Sequence, residues 1–546
     1  MAREIIVRQF RQIVLWPLQL MPIRPGSPVQ RHWEVLEALG ASCPWQEVAD
    51  EFCDDPALFQ ERHYKEFVTF LPYAQRFLYG SRVGQETSQR GDEPSIHVFR
   101  RSDVQQVRVV LSPDGPAQLF DVAHIDLYFF LDADIVMLAF EMHAENLPLD
   151  IAQDTMFRFG RAYPAFWEKN GQGGSCPHRV EWLDANGAVL AVSDFEARAK
   201  YLQFVGRHRS PCISQHWEHL LAPLALEYPG QSASLRYRQL EYYRMPFMAY
   251  VAIDDPTQLT RADFVRMALV TRPGPPDDLP YSASTLADFE REYCDDRFWD
   301  RSGERASGDT RIMVAGNSMM MVGPHSDEFF SGRESGLLGQ FRHQYFLLFL
   351  VAHFHKAALL SMSDELAVAM NRLIVGDTES VKAFKRTIRQ MMEVFLRFTH
   401  RYWFHEVSNQ AIASSVFDRV RRRLGTEAIY DEVRHEVMDM NNYLDSDSAR
   451  RQANTVLRLT VVTILGLIGT IATGVLGMNL IDETDSPLPI RVSIFLAVVA
   501  ATLAVTAITV ARSKRLADFL DALSDDRVDW RGKLRKLKVD SAGSAR

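Results

Sequence analysis

The sequence predicts an α/β domain followed by long α-helices that lead into two C-terminal transmembrane helices. Three observations carry this prediction. Residues 1–335 contain short segments rich in β-branched and aromatic residues, separated by helical stretches and turn-rich loops. Glycine and proline are absent from residue 426 until Gly466, which indicates one long helix. Two uncharged apolar runs then lie close to the C-terminus.

Composition and charge exclude several classes of protein. The 546 residues are 47% hydrophobic and 24% charged, which excludes a disordered chain and allows a substantial buried core. The formal net charge of -9 argues against a nucleic-acid binder, so no nucleic-acid partner is expected. The five cysteines are widely spaced and odd in number, which predicts neither a disulfide framework nor a structural zinc site. The first 24 residues predict a strand and a turn instead of a cleaved signal peptide.

The predicted α/β domain covers residues 1–335. Its strand-like segments are Ser95–Arg101, Val104–Leu111, His124–Leu131, Ile135–Phe140, Ala188–Ser193, Tyr243–Ile253 and Arg311–Ala315. A helix is predicted at Asp194–Gly206 because this stretch lies between strand-like segments and has no turn signal. The predicted loops are Gly80–Pro94, Arg272–Ser284 and Ser302–Thr310.

Long helices are predicted after the α/β domain. Residues 336–425 indicate long antiparallel helices, one over residues 337–375 and a second over residues 378–424. Gly425 is placed to end the second helix in the C′ position. Residues 426–458 then predict a polar stalk helix that continues into the first membrane span.

The two uncharged runs predict membrane spans. Residues 459–481 and 492–511 are each long enough to cross a hydrocarbon core of about 30 Å as a helix. The apolar run at residues 345–352 is too short for this and predicts a buried core helix. The outer loop 482–491 is acidic, whereas basic residues flank the other ends of both spans and continue into the tail 512–546. The positive-inside rule therefore predicts a multi-pass protein of the plasma (inner) membrane with both termini in the cytoplasm.

One face of the first predicted span carries hydroxyl and small side chains. At a step of 3.5 residues, this face contains Val456, Thr460, Thr463, Leu467, Thr470 and Gly474. Continued toward the cytoplasm, the same face reaches Ser446, Asn442 and Asp439. The pattern predicts a water-filled pore with hydrophobic rings at Val456 and Leu467, because such rings gate by dewetting. Ordinary packing between membrane helices is the alternative, and a pore requires several copies of the chain.

The end of the first span carries the candidate selectivity residues. This span ends in the tripeptide Gly477-Met478-Asn479. The amide oxygen of Asn479 suits Mg²⁺, which prefers oxygen ligands and holds its hydration shell tightly. An acidic cluster follows in the outer loop, at Asp482, Glu483 and Asp485. These carboxylates would raise the local cation concentration, and an ordinary solvated loop is the alternative.

The tripeptide and its surroundings resemble the GMN signature of the CorA-type divalent-cation (magnesium) channels. The close resemblance covers residues 425–515, where a polar helix, a span ending in GMN, an acidic loop, a second span and a basic tail follow one another. It implies a CorA-like funnel and a homopentamer with five first-span helices around one axial pore. Gly477 and Asn479 would then form the outer selectivity ring together with Met478. Family members also have cytoplasmic metal sites, for which Asp439 is the candidate carboxylate here.

The resemblance implies a transporter and no enzyme, with no catalytic residues. The expected activity is passive influx of divalent cations, foremost Mg²⁺, with Co²⁺ and Ni²⁺ as lesser substrates. A membrane potential supplies about 2.3 kcal/mol per charge per 100 mV, which is roughly doubled for a divalent ion. Mg²⁺ is the expected substrate and a candidate regulatory ligand, no other cofactor is expected, and the partners are further copies of the chain and membrane lipids. Two alternatives stay open: a membrane-tethered α/β sensor or interaction protein and, within the transporter class, a Zn²⁺ transporter.

Overall fold

The chain divides into two compact units, Met1–Asp439 and Met440–Arg546. The computed structural model describes residues 5–24, 29–48, 61–80, 95–241, 244–275, 278–300, 309–374, 378–477 and 487–524. All of the described strands lie in the first unit, together with the helices that precede residue 425. The helices predicted as a separate segment at residues 336–425 therefore belong to the same compact unit as the strands.

The first unit is built on one mixed sheet. Its strands are β1 Ile6–Leu20, β2 Trp45–Glu47, β3 Ile96–Arg101, β4 Gln106–Val110, β5 Ala117–Phe130, β6 Ile135–Pro148, β7 Arg179–Leu183, β8 Val189–Val192, β9 Ala225–Leu226, β10 Arg236–Gln239, β11 Phe247–Ile253, β12 Cys294–Asp295, β13 Arg311–Val314 and β14 Ser318–Pro324. The main path runs β12-β13-β14-β11-β1-β6-β5-β4-β7-β8. β10 also pairs with β1 and β9, and β3 pairs with β2 and β5.

The α-helices of the described residues follow in chain order. They are α1 His32–Leu39, α2 Glu61–Thr69, α3 Pro72–Tyr79, α4 Leu149–Arg158, α5 Arg198–His208, α6 Gln215–Leu221, α7 Arg261–Leu269, α8 Ala283–Ala287, α9 Phe289–Tyr293, α10 Glu328–Ser331, α11 Leu337–Arg342, α12 Gln344–Asn371, α13 Thr378–Arg401, α14 Ala411–Leu424, α15 Thr426–Gly477 and α16 Leu488–Ser524.

β1 is the long central strand and changes its neighbour along its length. On one side it pairs antiparallel with β6 over most of both strands. On the other side it pairs with β11 as far as Val14 and with β10 from Leu18 onward. Pro17 lies in the gap between these two neighbours, where its missing backbone N–H interrupts neither ladder. The strand predicted near the N-terminus is thus confirmed despite its proline.

Helices cover both faces of the sheet. On one face, the Phe140 ring of β6 lies 5.8 Å from the Phe159 ring, which directly follows α4. The β11 residue that is in register with Phe140 across β1 points to the same face as Phe140. Tyr250 of β11 lies an odd number of residues from it, so its side chain points to the opposite face. There Tyr250 stacks on Phe330 of α10 at 4.5 Å and lies 5.8 Å from Phe341 of α11. The sheet is therefore a central layer between two layers of helices.

A buried ion network ties α11 to β1, β5 and β6. Glu141 is fully buried and accepts hydrogen bonds from Arg11 Nη1 at 2.7 Å and from Arg342 Nε at 2.9 Å. His124 Nε2 lies 2.9 Å from Glu141 Oε2, and its Nδ1 lies 3.3 Å from Asp126 Oδ2. Burial opposes the charge on His124, but the two carboxylates outweigh it and raise the pKa of His124 to about 9. Burial likewise opposes the charge on Glu141, and His124 and both arginines overcome it and lower the pKa of this carboxyl.

This network predicts a loss of stability at alkaline pH. The folded-state pKa of His124, about 9, lies above the value of about 6.5 for an unfolded histidine. Its stabilisation is therefore complete below about pH 6.5 and is lost as the pH rises through about 9. Urea unfolding in detergent at pH 6.5, 8 and 9.5 measures this loss, and His124→Gln should remove that part of the pH dependence. Parallel pH profiles of the wild type and the variant would contradict it.

The structure confirms the positions of all seven strand-like segments that were listed from the sequence. They correspond to β3, β4, β5, β6, β8, β11 and β13. β5 and β6 are about twice as long as predicted, and the strands that were not predicted are β2, β7, β9, β10, β12 and β14. β14 contains Met319, Met320 and Met321, and methionine favours helices over strands by intrinsic propensity. Its pairing with β11 and β13 overrides this local preference.

The two long helices predicted over residues 337–375 and 378–424 are wrong in extent, because each is two helices. The first is broken at His343. The second is broken at residues 402–410, whose backbone groups are bonded elsewhere. The carbonyl oxygen of Tyr402 lies 2.5 Å from Nε2 of the buried His355, and the Val407 carbonyl accepts the Leu71 N–H at 2.8 Å. These tertiary bonds replace the helical ones.

Two finer predictions about these helices are confirmed. Gly425 ends α14 with a positive φ of 66° and donates its N–H to carbonyls of the last turn. The apolar run at residues 345–352 lies in the core. It belongs to the range Leu337–Asn371, whose most apolar stretch is long enough for a membrane span but is 78% buried inside the protein. Residues 81–94, 276–277 and 302–308 of the three predicted loops lie outside the described part of the chain.

Candidate functional site

The helix that carries the candidate site, α15, is continuous over 52 residues. It begins immediately after the left-handed Gly425. The long helix predicted from the absence of glycine and proline is therefore confirmed as far as Gly477. At 1.5 Å per residue it is roughly 78 Å long.

An aromatic stack anchors the beginning of α15. The Tyr430 ring lies parallel to the Trp403 ring at 4.5 Å and stacks on Phe395 of α13 at 5.6 Å. The guanidinium of Arg421 lies 4.9 Å from the centre of the Trp403 ring. Val433 and Val437, one and two turns beyond Tyr430, are buried on the same face of α15. This face fixes the rotation of the helix about its own axis.

The predicted cytoplasmic residues of the pore face lie away from this buried face. Asp439, Asn442 and Ser446 are all exposed. At 100° per residue, their common direction is opposite to that of Val433 and Val437. The structure thus places these three residues together on the open side of α15.

Two acidic residues lie on α15 near this open side. Glu432 is exposed and Glu436 is half-buried one turn further along the helix. Partial burial and the charge of Glu432 raise the pKa of Glu436. No group of three or more His, Cys, Asp or Glu side chains within the described ranges is arranged to hold a metal ion.

The threonines of the predicted stripe share one hydrogen-bonding arrangement. Thr460, Thr463 and Thr470 each donate the hydroxyl hydrogen to the carbonyl four residues earlier, at 2.8–2.9 Å. The hydroxyl oxygen keeps its lone pairs free to accept further hydrogen bonds. All three residues are exposed in the single chain. The stripe therefore presents acceptors to whatever lies beside it.

The apolar residues of the stripe are exposed as well. Val456 is 62% exposed and Leu467 is 56% exposed, and Gly474 is also exposed. Leu459 and Ile471, which lie off the stripe, are exposed to a similar extent. This is the pattern of a helix that is covered by lipid or by other helices on several sides.

The outer end of the site is only partly described. Gly477 is the last residue of α15. Met478 and Asn479 lie outside the described residues, as do the loop carboxylates Asp482, Glu483 and Asp485. Their roles stay predictions from the sequence.

The second apolar helix, α16, follows this gap. Its range Leu488–Ile508 is long and apolar enough to cross a membrane, and none of its apolar window is buried inside the protein. The predicted span 492–511 lies four residues further along and is confirmed as an exposed apolar helix. An exposed surface of this kind requires lipid or other apolar helices around it.

Residues 366–514 match the family model described as CorA-like Mg²⁺ transporter protein. Over this segment the chain is similar to the CorA-like Mg²⁺ transporters. The segment runs from the end of α12 through α13, α14 and α15 into α16, and residues 1–365 lie outside it. No curated protein matches the chain.

The CorA-like domain confirms the resemblance seen in the sequence and supports divalent-cation transport by a membrane protein. The stripe, the acidic residues and the GMN tripeptide all lie within it. The stack that anchors α15, at Trp403, Tyr430 and Phe395, was not predicted from the sequence. A signal existed in the aromatic run Tyr402-Trp403-Phe404, which is unusual for the solvated middle of a helix.

Proposed function

We propose that this chain is the subunit of a homopentameric channel for divalent cations, foremost Mg²⁺, with Co²⁺ and Ni²⁺ as lesser substrates. Five copies of α15 surround one axial pore, and the ions enter the cytoplasm passively, driven by the membrane potential. Both termini are cytoplasmic, and the membrane is the plasma (inner) membrane. The support is the CorA-like domain together with the hydroxyl stripe of α15.

The hydroxyl stripe is the observation that carries the proposal. A hydrated Mg²⁺ ion presents water hydrogens to its surroundings, because the water oxygens face the metal. The threonine oxygens of α15 accept such hydrogen bonds, since their own hydrogens are already donated to backbone carbonyls. Five copies of Thr460, Thr463 and Thr470 would guide the hydrated ion without stripping its water.

The ends of the stripe complete the proposed pathway. Leu467 and Val456 form apolar rings that exclude water when the pore is narrow. Asn479, with Gly477 and Met478, forms the outer selectivity ring, and the acidic loop concentrates cations above it. Asp439, Asn442 and Ser446 line the cytoplasmic continuation. Mg²⁺ held at Asp439 acts as a regulatory ligand.

Ion entry into proteoliposomes tests this function. The purified full chain should admit Mg²⁺ under an inside-negative potential and migrate as a pentamer in mild detergent. Zn²⁺ and Co²⁺, offered separately and in competition, identify the preferred ion, and preference for Zn²⁺ would replace the magnesium assignment. A monomer or dimer that admits none of these ions would establish the tethered α/β sensor instead.

A matched pair of threonine variants tests the stripe itself. Thr470→Val and Thr473→Val each remove one hydroxyl that donates to a carbonyl four residues earlier. Only Thr470 lies on the predicted pore face. We expect Thr470→Val to lower Mg²⁺ entry about fivefold, since one lost hydrogen bond is worth about 1 kcal/mol. Thr473→Val should leave it unchanged, and equal rates for the two variants would contradict the stripe.

A further inference from the structure

A second cluster of charged residues lies in the first unit, on the sheet face covered by α10 and α11. Arg11 of β1 and His143 of β6 are direct register partners on this face. Arg342 at the end of α11 reaches the same place and donates to Glu141 at 2.9 Å. Arg333, in the loop between α10 and α11, is close enough to act electrostatically on Arg11. We call Arg11, His143, Arg333 and Arg342 the cationic cluster.

The loop that carries Arg333 has a compact shape of its own. The Gly339 N–H donates to the Gly332 carbonyl, which closes the loop at 3.3 Å. A Cβ on Gly336 would lie 2.6 Å from the Gly332 nitrogen, so only glycine allows this close approach. The loop therefore holds the backbone of Arg333 in place, while its side chain is exposed.

The arginines and His124 in this place share few paired carboxylates. Glu141 alone is shared by Arg11, Arg342 and His124. Asp126 is engaged by Arg100 through two hydrogen bonds of 2.7 and 2.8 Å. Two further carboxylates lie on the same face: Asp121 is the register partner of His143, and Glu145 is exposed two residues further along β6. Neither forms an ion pair with the cationic cluster in the described part of the chain.

Burial is the first cause of the pKa shifts within the cluster. Burial, followed by the charges of Arg342 and Arg333, lowers the pKa of Arg11 even though Glu141 is bound to it. Burial and the charge of Arg11 lower the pKa of His143, against the opposing effects of Asp121 and Glu141. Burial thus disfavours the charged form of both groups, and the charges of neighbouring arginines add to this effect.

Two buried nitrogen atoms of the cluster have no hydrogen-bond partner within the described residues: Arg11 Nε and His143 Nδ1. Arg11 is 8% exposed, so its guanidinium is largely shielded from water. The Arg342 side chain is 34% exposed and Arg333 is exposed, so the cluster opens to solvent on one side. A partly buried guanidinium with unused donors is the environment in which an anion is bound most strongly.

We propose that Arg11, His143, Arg333 and Arg342 bind a small oxyanion of the phosphate class. Three guanidinium groups offer donors to the oxygens of such an anion, and the arginines between β1, β6 and α11 attract its negative charge. Bound there, the anion bridges the Arg333 loop and α11 to the sheet. The site is independent of the ion pathway in the CorA-like domain and adds an anionic ligand to a protein whose proposed substrate is a cation.

Titration calorimetry on the full chain in detergent tests the site with inorganic phosphate and pyrophosphate as probes. We expect saturable binding to the wild type and at least tenfold weaker binding to Arg333→Gln, whose exposed side chain leaves the fold intact. Arg179→Gln is the matched control, because Arg179 is an exposed arginine of β7, two strands beyond β5. It should bind like the wild type.

A short-chain phosphatidate, titrated in parallel, separates the two sources of a phosphate group. Binding of the free anions identifies a soluble ligand, and binding of phosphatidate alone identifies a lipid headgroup, provided that Arg333→Gln weakens it. Absence of saturable binding of all three probes to the wild type overturns the proposal. Equal binding to wild type and Arg333→Gln, or an equal loss in Arg179→Gln, overturns it as well. Unchanged thermal unfolding of each variant without ligand confirms that the fold is retained.

Discussion

Glu141→Ala is expected to lower the free energy of unfolding by about 3–5 kcal/mol, because it leaves buried positive charges without their partner. Glu141 is fully buried and is the common acceptor of Arg11 and Arg342. Arg11 cannot regain water easily, since it is 8% exposed. Chemical unfolding of the full chain in detergent, followed by tryptophan fluorescence, measures the loss.

Glu181→Ala is the matched control for this prediction. Glu181 is also a buried carboxylate that pairs with two arginines, at 2.7 Å from Arg108 and 2.6 Å from Arg179. These two arginine side chains are 39% and 54% exposed, so water replaces the lost carboxylate. We expect a loss of about 1 kcal/mol here. If both substitutions cost the same, the buried network around Glu141 does not have the stabilising role assigned to it.

The second large effect is expected at the outer end of the proposed ion pathway. Asn479→Ala should lower Mg²⁺ entry into proteoliposomes at least about tenfold, or change the order of ion preference, because the ring loses all of its side-chain amide oxygens at once. A tenfold change corresponds to about 1.4 kcal/mol in the barrier. Since only the ring is altered, the variant should still assemble as a pentamer and unfold at the temperature of the wild type.

Asn441→Ala provides the comparison for Asn479. Asn441 lies on α15 but off the pore face, and its amide donates to Asp445 at 3.3 Å. This substitution likewise removes one side-chain amide and should leave Mg²⁺ entry unchanged. Unaltered entry and ion preference in a pentameric Asn479→Ala protein would remove the GMN ring from the pathway, even if the wild type conducts.

The sequence was sufficient for features that depend on neighbouring residues. The absence of glycine and proline after residue 426 predicted α15, and Gly425 predicted the end of α14. The break at residues 402–410 could not be predicted in this way, because its carbonyls bond to groups far along the chain, such as His355. Helical pattern alone carries no information about such partners.

The buried charges were missed for the same reason. Arg11 and Glu141 are 130 residues apart, and Arg342 is 201 residues from Glu141. Each residue by itself is an ordinary polar position in a strand or a helix. These residues come into contact only because β1, β6 and β5 are neighbours in the sheet. Hydrophobic periodicity does not specify this order of strands. The predicted pore face, by contrast, needs only the period of one helix, and it stays a prediction from the sequence.

Val433 and Val437 are buried near the start of α15. Their packing fixes the direction in which each later residue of the helix points. Each residue added to a helix turns the rest by 100°. One residue inserted after Val437 would therefore turn Thr460, Thr463 and Thr470 by almost a third of a revolution relative to the anchored face, without altering any of them. The spacing between anchor and stripe is thus as much a part of the proposed ion pathway as the threonines themselves, and we expect the chain to tolerate substitutions in the intervening turns far better than insertions or deletions.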